Sequence, residues 1–265
     1  MSPNDTARRN HDLLFPGHVS TLAVTDPELI ETFDNFAFDE VFRGSQLDTR
    51  TRLMTQLAAI IACQAVREYR VMVGAALVVG VAPVEIKEIV YQAVPYVGMA
   101  KVYDFIHATN EVLTERGIAL PLAGQSTTTP ASRAEKGLAV EKEIVGSDQV
   151  DRLYAASPAD QLHIQRLLSA NCFGDHYTRT GIDVPTRELL TLSMLAALGG
   201  CDPQVRGHVA ANLRVGNDRA LLIDVVTQLL PFIGYPRTLN ALRAIDEAAA
   251  AAAAAETALK EGEQP

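Results

Sequence analysis

The chain has no tryptophan, few aromatic residues and only three cysteines, and each scarcity excludes something. Cys63, Cys172 and Cys201 show neither a disulfide framework nor the paired Cys/His spacing of a zinc site, so no metal is expected. Basic residues are outnumbered, 23 Lys and Arg against 32 Asp and Glu, giving a net charge of −9. That balance argues against nucleic acid as a partner, because phosphate binding needs clustered cations, but it leaves room for a small anion in a local basic pocket. No apolar run reaches the roughly 20 residues that span a bilayer, so no membrane partner is expected. The opening stretch Met1–Asp12 is polar and has no apolar core of the signal-peptide kind. The reading is a reduced, cytoplasmic protein. Strand-like alternation is nearly absent, which leaves an all-α fold class.

What is present is helical periodicity. Residues 1–25 carry no strong pattern and are expected to form an arm on the body or on a neighbouring subunit. From Pro27, apolar residues recur at three and four: Leu29, Ile30, Phe33 and Phe36, then Leu53, Leu57, Ile60 and Ile61. A helix carrying Glu68, Tyr69, Arg70 and Met72 runs to Gly80, and Pro83 opens another that Pro95 and Gly98 are expected to interrupt. Residues 117–132 are polar and helix-poor and read as a linker. The nearly pure alanine tail, 251–265, reads as a terminal helix with nothing bulky to pack.

After the linker the organisation repeats. Leu47-Asp48 and Thr51-Arg52 return 135 residues later as Ile182-Asp183 and Thr186-Arg187. Gly80, Gln92, Pro95 and Gly98 return 136 residues later as Gly216, Gln228, Pro231 and Gly234. Tyr96 falls opposite Phe232, and Phe38 opposite Phe173. Ordered matches with a single one-residue slip indicate an internal duplication, with copies at 26–116 and 133–250. The halves differ where chemistry is conceivable: His208 falls opposite Met72, His176 opposite Val41, Gln204 opposite Glu68, and Cys201 opposite Ala65. Arg206 and Arg70 match and read as a structural ion pair. Both candidate histidines, His176 and His208, belong to the second copy alone and point to a site there.

The centre of that copy is Cys201-Asp202-Pro203-Gln204-Val205-Arg206-Gly207-His208, behind a Gly199-Gly200 break. Asp before Pro is a helix-start signal, with Asp202 expected as the cap. Cys201, Gln204 and His208 at i, i+3 and i+7 then share a face. Histidine's unperturbed pKa near 6.5 suits proton transfer at neutral pH. Cys201 reads either as a small apolar wall or as a thiol activated near a helix N-terminus. Gln204 reads either as a partner of the imidazole or as a solvated residue.

The run from Thr186 through Cys201 and His208 to Leu242, with the approach segment Cys172–Gly181, resembles the carboxymuconolactone decarboxylase family, which includes the AhpD-like alkylhydroperoxidases. The first copy looks like a diverged member. The resemblance implies an AhpD-like all-helical fold with two tandem repeats, and assembly into trimers or another ring. The peroxidase branch uses Cys-x-x-Cys followed four residues on by His. Here Gln204 stands where the second thiol should be, so a dithiol cycle lacks its partner. The decarboxylase branch implies no cofactor and retains the histidine. Decarboxylases tend to carry a carboxylate or amide four residues before that histidine, where Gln204 and, in the first copy, Glu68 stand. The expectation is a cofactor-free lyase acting on a small anionic lactone, with His208 as general acid/base and Gln204 and Cys201 beside it; isomerisation or cyclisation through the same histidine is the alternative. Arg179 is expected to grip a substrate carboxylate, His176 and Tyr177 to wall the pocket, and Glu188 and Glu68 to serve as further contacts, Glu188 reading equally as a first-turn charge.

Overall fold

The computed structural model describes residues 3–262, and every regular element among them is helical. The first copy comprises α1 (Asp5–Leu14), α2 (Leu22–Thr25), α3 (Pro27–Asn35), a π-helical segment Phe36–Glu40, α4 (Val41–Arg43), α5 (Thr49–Ala62), α6 (Val66–Val78), α7 (Pro83–Val97) and α8 (Met99–Glu115). After a non-helical connection come α9 (Arg133–Val145), α10 (Ser147–Ala156), α11 (Leu162–Leu167), a second π-helical segment Leu168–Tyr177, α12 (Val184–Leu198), α13 (Asp202–Arg214) and α14 (Arg219–Gly262).

The duplication is visible in matching chemistry at matching places. Asp48 caps α5 by accepting from the Thr51 amide at 3.0 Å, and Asp183 caps α12 by accepting from Thr186 at 2.9 Å. A π-helical segment precedes each cap, ending at Glu40 before Asp48 and at Tyr177 before Asp183. Gly98 breaks α7 from α8 at φ 89°, and Gly234, its counterpart, kinks α14 at φ 75°. Arg70 pairs with Glu111, and Arg206 faces the equivalent Glu247 at 3.8 Å, so this matched arginine is an ion-pair position in both copies.

Helices α5 and α12 pack against each other at the centre. Each is buried almost all round, from Arg52 to Ala62 and from Arg187 to Ala197, as expected of a helix without a polar face. The copies also exchange partners. Helix α7 of the first copy packs on α12 and on the second π-helical segment, while α14 packs on α4 and α5. Gln92 and Gln228, at equivalent positions, make these crossings: Gln92 donates to Thr191 at 3.3 Å, and Gln228 donates to the Val41 carbonyl at 2.7 Å. A large core containing residues of both copies results, with a smaller cluster of Ile144, Cys172, Phe173, Tyr177 and Ala211 beside it.

Three local expectations change. Pro95 does not interrupt α7, which continues to Val97; only Gly98 breaks it. A proline two residues from a helix end removes little of the remaining ladder. Residues 3–25 are not patternless: α1 is capped by Asn4, whose side chain accepts from Ala7 at 2.9 Å and donates to Asp39, and its end buries Leu14 and Phe15. Asp202 is not the cap of α13 but its first-turn acid; Cys201 occupies the cap position and makes no side-chain cap bond. The expected tail helix continues through Gly262, and 263–265 lie outside the described residues.

The connection between copies is anchored rather than loose. Thr127 and Thr128 donate to the carbonyls of Thr178 and Gly174, and Gln125 accepts from both the amide and the hydroxyl of Thr180. The segment thereby fastens to the stretch that carries Tyr177 and Arg179.

Candidate active site

Helix α12 delivers Glu188 into the core with its side chain 0% exposed. A buried carboxylate needs donors on both oxygens, and it has them. His208 Nδ1 lies 2.9 Å from Oε2, and the Tyr177 hydroxyl donates to Oε1 at 2.5 Å. A proton on Nδ1 satisfies Oε2, and that tautomer leaves Nε2 as the free ring nitrogen of His208. The imidazole side chain is 17% exposed, so it stands between the buried acid and the solvent side.

The donors to Glu188 form a directed set. Because Tyr177 gives its proton to Glu188, its oxygen accepts from Thr191 at 3.0 Å and from Tyr96 at 3.1 Å. Cys172 donates to the Tyr96 hydroxyl at 3.5 Å, and Gln92 donates to Thr191. Arg187, 0% exposed, donates to the Gln92 side-chain oxygen at 3.0 Å and to Glu88 at 2.8 Å. Burial pushes the Tyr96 and Tyr177 phenols well above their ordinary value, with Glu188 adding to the effect, so both remain donors. Burial likewise pushes Cys172 up to about 12, making it a protonated thiol at neutral pH. Asn212 fixes α13 against α12, donating to the backbone carbonyls of His208 at 2.7 Å and Glu188 at 3.1 Å. The Tyr96 ring meets the His208 ring edge-on with centroids 5.5 Å apart.

The site is built from both copies, since Tyr96 and Gln92 lie on α7. Its counterpart in the first copy is stripped of polarity. By the same offsets, Glu188, Tyr177, His208, Tyr96, Cys172 and Asn212 fall opposite Leu53, Phe42, Met72, Phe232, Ala37 and Ala76. Arg52, opposite Arg187, stacks on Phe42 at 4.2 Å and, among the described residues, forms no salt bridge; its Nε has no hydrogen-bond partner.

The residues singled out from sequence fall into three places. His208, Glu188 and Tyr177 come together, with Glu188 and Tyr177 buried behind the histidine rather than lining open space. Cys201 is half-buried and donates to the Leu195 carbonyl at 3.2 Å; burial and the neighbouring Asp202 push its thiol up. Gln204 is exposed and its side chain makes no hydrogen bond. Arg179 is elsewhere: it makes three hydrogen bonds of 2.8–2.9 Å to Glu88, the acid it shares with Arg187. His176 lies near the same charges, and burial pushes its pKa down. Glu68 is on α6, close to His18 of the N-terminal segment, and burial raises its pKa. Sequence reasoning missed Tyr96, Cys172, Thr191 and Asn212. The comparison of copies held the signal, because each is a polar position facing an apolar or differently shaped one; Tyr96 opposite Phe232 reads as a scaffold match until the hydroxyl is seen to be used. No three His, Cys, Asp or Glu side chains converge as metal ligands among the described residues, and none of their helices is long and apolar enough to cross a membrane.

Comparison with known proteins agrees with this architecture. A 4-carboxymuconolactone decarboxylase of Acinetobacter baylyi is 27% identical over 115 residues, covering 43% of this chain and 85% of the relative. An uncharacterised 15.0 kDa protein of Paracoccus denitrificans is 30% identical over 94 residues, covering 35% of this chain and 65% of the relative. The sequence model of the carboxymuconolactone decarboxylase family matches twice, over 27–111 and 163–247, two blocks exactly 136 residues apart that span the α5–α8 and α12–α14 units. The chain is a member of the carboxymuconolactone decarboxylase family.

Proposed function

We propose that the protein is a cofactor-free lyase that decarboxylates a small anionic lactone, with His208 as its general acid/base. The observation that carries this reading is the buried Glu188 carboxylate 2.9 Å from His208 Nδ1, which orients the ring and leaves Nε2 for proton transfer. In the reaction the carbon–carbon bond to the carboxylate breaks, carbon dioxide leaves, and the electron pair passes into the unsaturated lactone. His208 Nε2–H then donates its proton to the resulting carbanion and is reprotonated from water. Glu188 positions the ring, Tyr177 donates to Glu188 and is held in turn by Tyr96, and Cys201 walls the approach. The named activity of the Acinetobacter relative supports the substrate class. A dithiol peroxidase cycle finds no support in the site: both Cys201 and Cys172 are shifted toward the thiol form and pack in different clusters.

We infer a homo-oligomer as well. Exposed Met99 and Tyr103 open α8, and exposed Tyr235 and Leu239 occupy the equivalent places in α14, giving each chain two matching apolar patches of the kind that self-association covers. The test of the lyase reading follows loss of carboxymuconolactone absorbance together with release of carbon dioxide. His208→Ala should lower turnover by about 10²- to 10⁴-fold; undiminished activity in that variant rules the mechanism out.

A further inference from the structure

A cavity of about 350 Å³ lies between α7, α8 and the connection at 120–125, on the far end of α7 from Tyr96 and His208. Its floor carries Lys87, Glu88 and Tyr91 from α7, its sides Asn110 from α8 and Arg179, and its cover is apolar, with Val84, Leu120 and Leu122. Charge does not balance here. Glu88 is the single acid lining the cavity, is 1% exposed, and is already committed to both Arg179 and Arg187. Lys87, 9% exposed, has only a neutral partner, the Asn110 side-chain oxygen at 2.5 Å, with the Tyr91 ring 5.4 Å away. Burial without a counter-charge pushes the Lys87 pKa down. A buried ammonium with no carboxylate partner is costly unless something anionic joins it, and the Arg179 guanidinium, 5.2 Å from the Tyr91 ring centroid, adds a second cation.

We propose that this cavity is a second binding site, for one small organic monocarboxylate, separate from His208. The carboxylate lies between Lys87 and Arg179, and the apolar body of the acid lies against Val84, Leu120 and Leu122. The volume sits at the lower end of the range for small-molecule sites, which fits a single ring or short chain. Gly181 leaves room for Glu88 behind the cavity, since a Cβ there would lie 2.5 Å from the Glu88 side chain. The site accounts for a lysine that hydrogen bonding alone leaves uncompensated.

Calorimetric titration of the full chain with benzoate, and with benzyl alcohol as a neutral control of similar shape, tests this. Benzoate should bind once per chain, benzyl alcohol should not, and Lys87→Met should weaken benzoate at least about tenfold. Thermal unfolding without ligand should find Lys87→Met as stable as the parent or more so, because a buried charge has gone; this separates a binding role from a structural one. His208→Ala should bind benzoate unchanged, so failure of the lyase reading leaves this result untouched. The proposal is overturned if millimolar benzoate gives no saturable heat, if Lys87→Met binds it equally well, or if His208→Ala abolishes binding.

Discussion

At the scale of single residues, chemistry here depends on what a buried carboxylate is allowed to face. Glu188 has both oxygens occupied because three hydroxyls and one imidazole are oriented toward it, Tyr177 and His208 directly and Thr191 and Tyr96 through Tyr177. Glu188→Gln keeps the shape and removes the charge, so the contact that orients the His208 ring through Nδ1 is weakened. Turnover should fall on the order of 10²-fold with KM little changed, as steady-state kinetics would read. His176 gives a different prediction. Burial lowers its folded pKa below the ordinary value near 6.5. The unfolded chain therefore binds more protons between those two values, so stability rises with pH through that window and is lost as pH falls from about 6.5 toward the folded pKa. Denaturant unfolding of the parent and His176→Gln between about pH 5 and pH 7.5 should show a steeper acid loss in the parent.

At the scale of elements, close backbone approach decides where helices sit. Gly137 of α9 rests on the second π-helical segment, where an added Cβ would lie 2.6 Å from the Gly174 amide and closer still to the Ser169 carbonyl. Alanine would gain roughly 1 kcal/mol in helix propensity, but overpacking of this kind costs typically 1–3 kcal/mol and more where backbone is the obstacle. Steric cost wins, and Gly137→Ala should lower the unfolding midpoint and loosen the segment that delivers Tyr177. Helix α7 makes the other element-level contribution. Tyr96→Phe keeps the ring against His208 but removes one donor to Tyr177. We expect a loss of about 1 kcal/mol in stability and a turnover reduction smaller than that of Glu188→Gln. Those two measurements, made on the same pair of variants, rank the two groups.

At the scale of the whole molecule, the copies are not independent domains, because each supplies a helix to the other. Separated halves 1–132 and 133–265 would leave Arg187 buried without Glu88, an uncompensated charge whose cost is several kcal/mol. Each half expressed alone should be insoluble or loosely folded, and the two produced together should recover a single cooperative unfolding transition, as followed by circular dichroism. The polar site survives in one place, and the apolar Leu53, Phe42, Met72 and Phe232 fill its counterpart. That division frees the first copy to act as a partner that supplies Tyr96 and Gln92.

Much of this was written in the chain. Periodicity without alternation fixes an all-helical protein, because apolar residues at three and four can share a face only on a helix. Repeated Asp caps, glycine breaks and matched arginines establish the duplication, and the histidine present in one copy points to the half that carries the site. Those are local or pairwise features, and a linear text preserves them. Helix α1 escaped because its ten residues are mostly polar and it buries only Ala7 and Leu14. The tertiary structure decided the rest. It set Glu188 behind His208, because which face of a wholly apolar-looking helix is buried depends on what packs there. It took Arg179 away from the histidine to Glu88, 91 positions earlier in the chain. It also made Tyr96 part of a site in the other copy, because helices α7 and α14 cross between the copies, and no spacing within either repeat encodes that exchange.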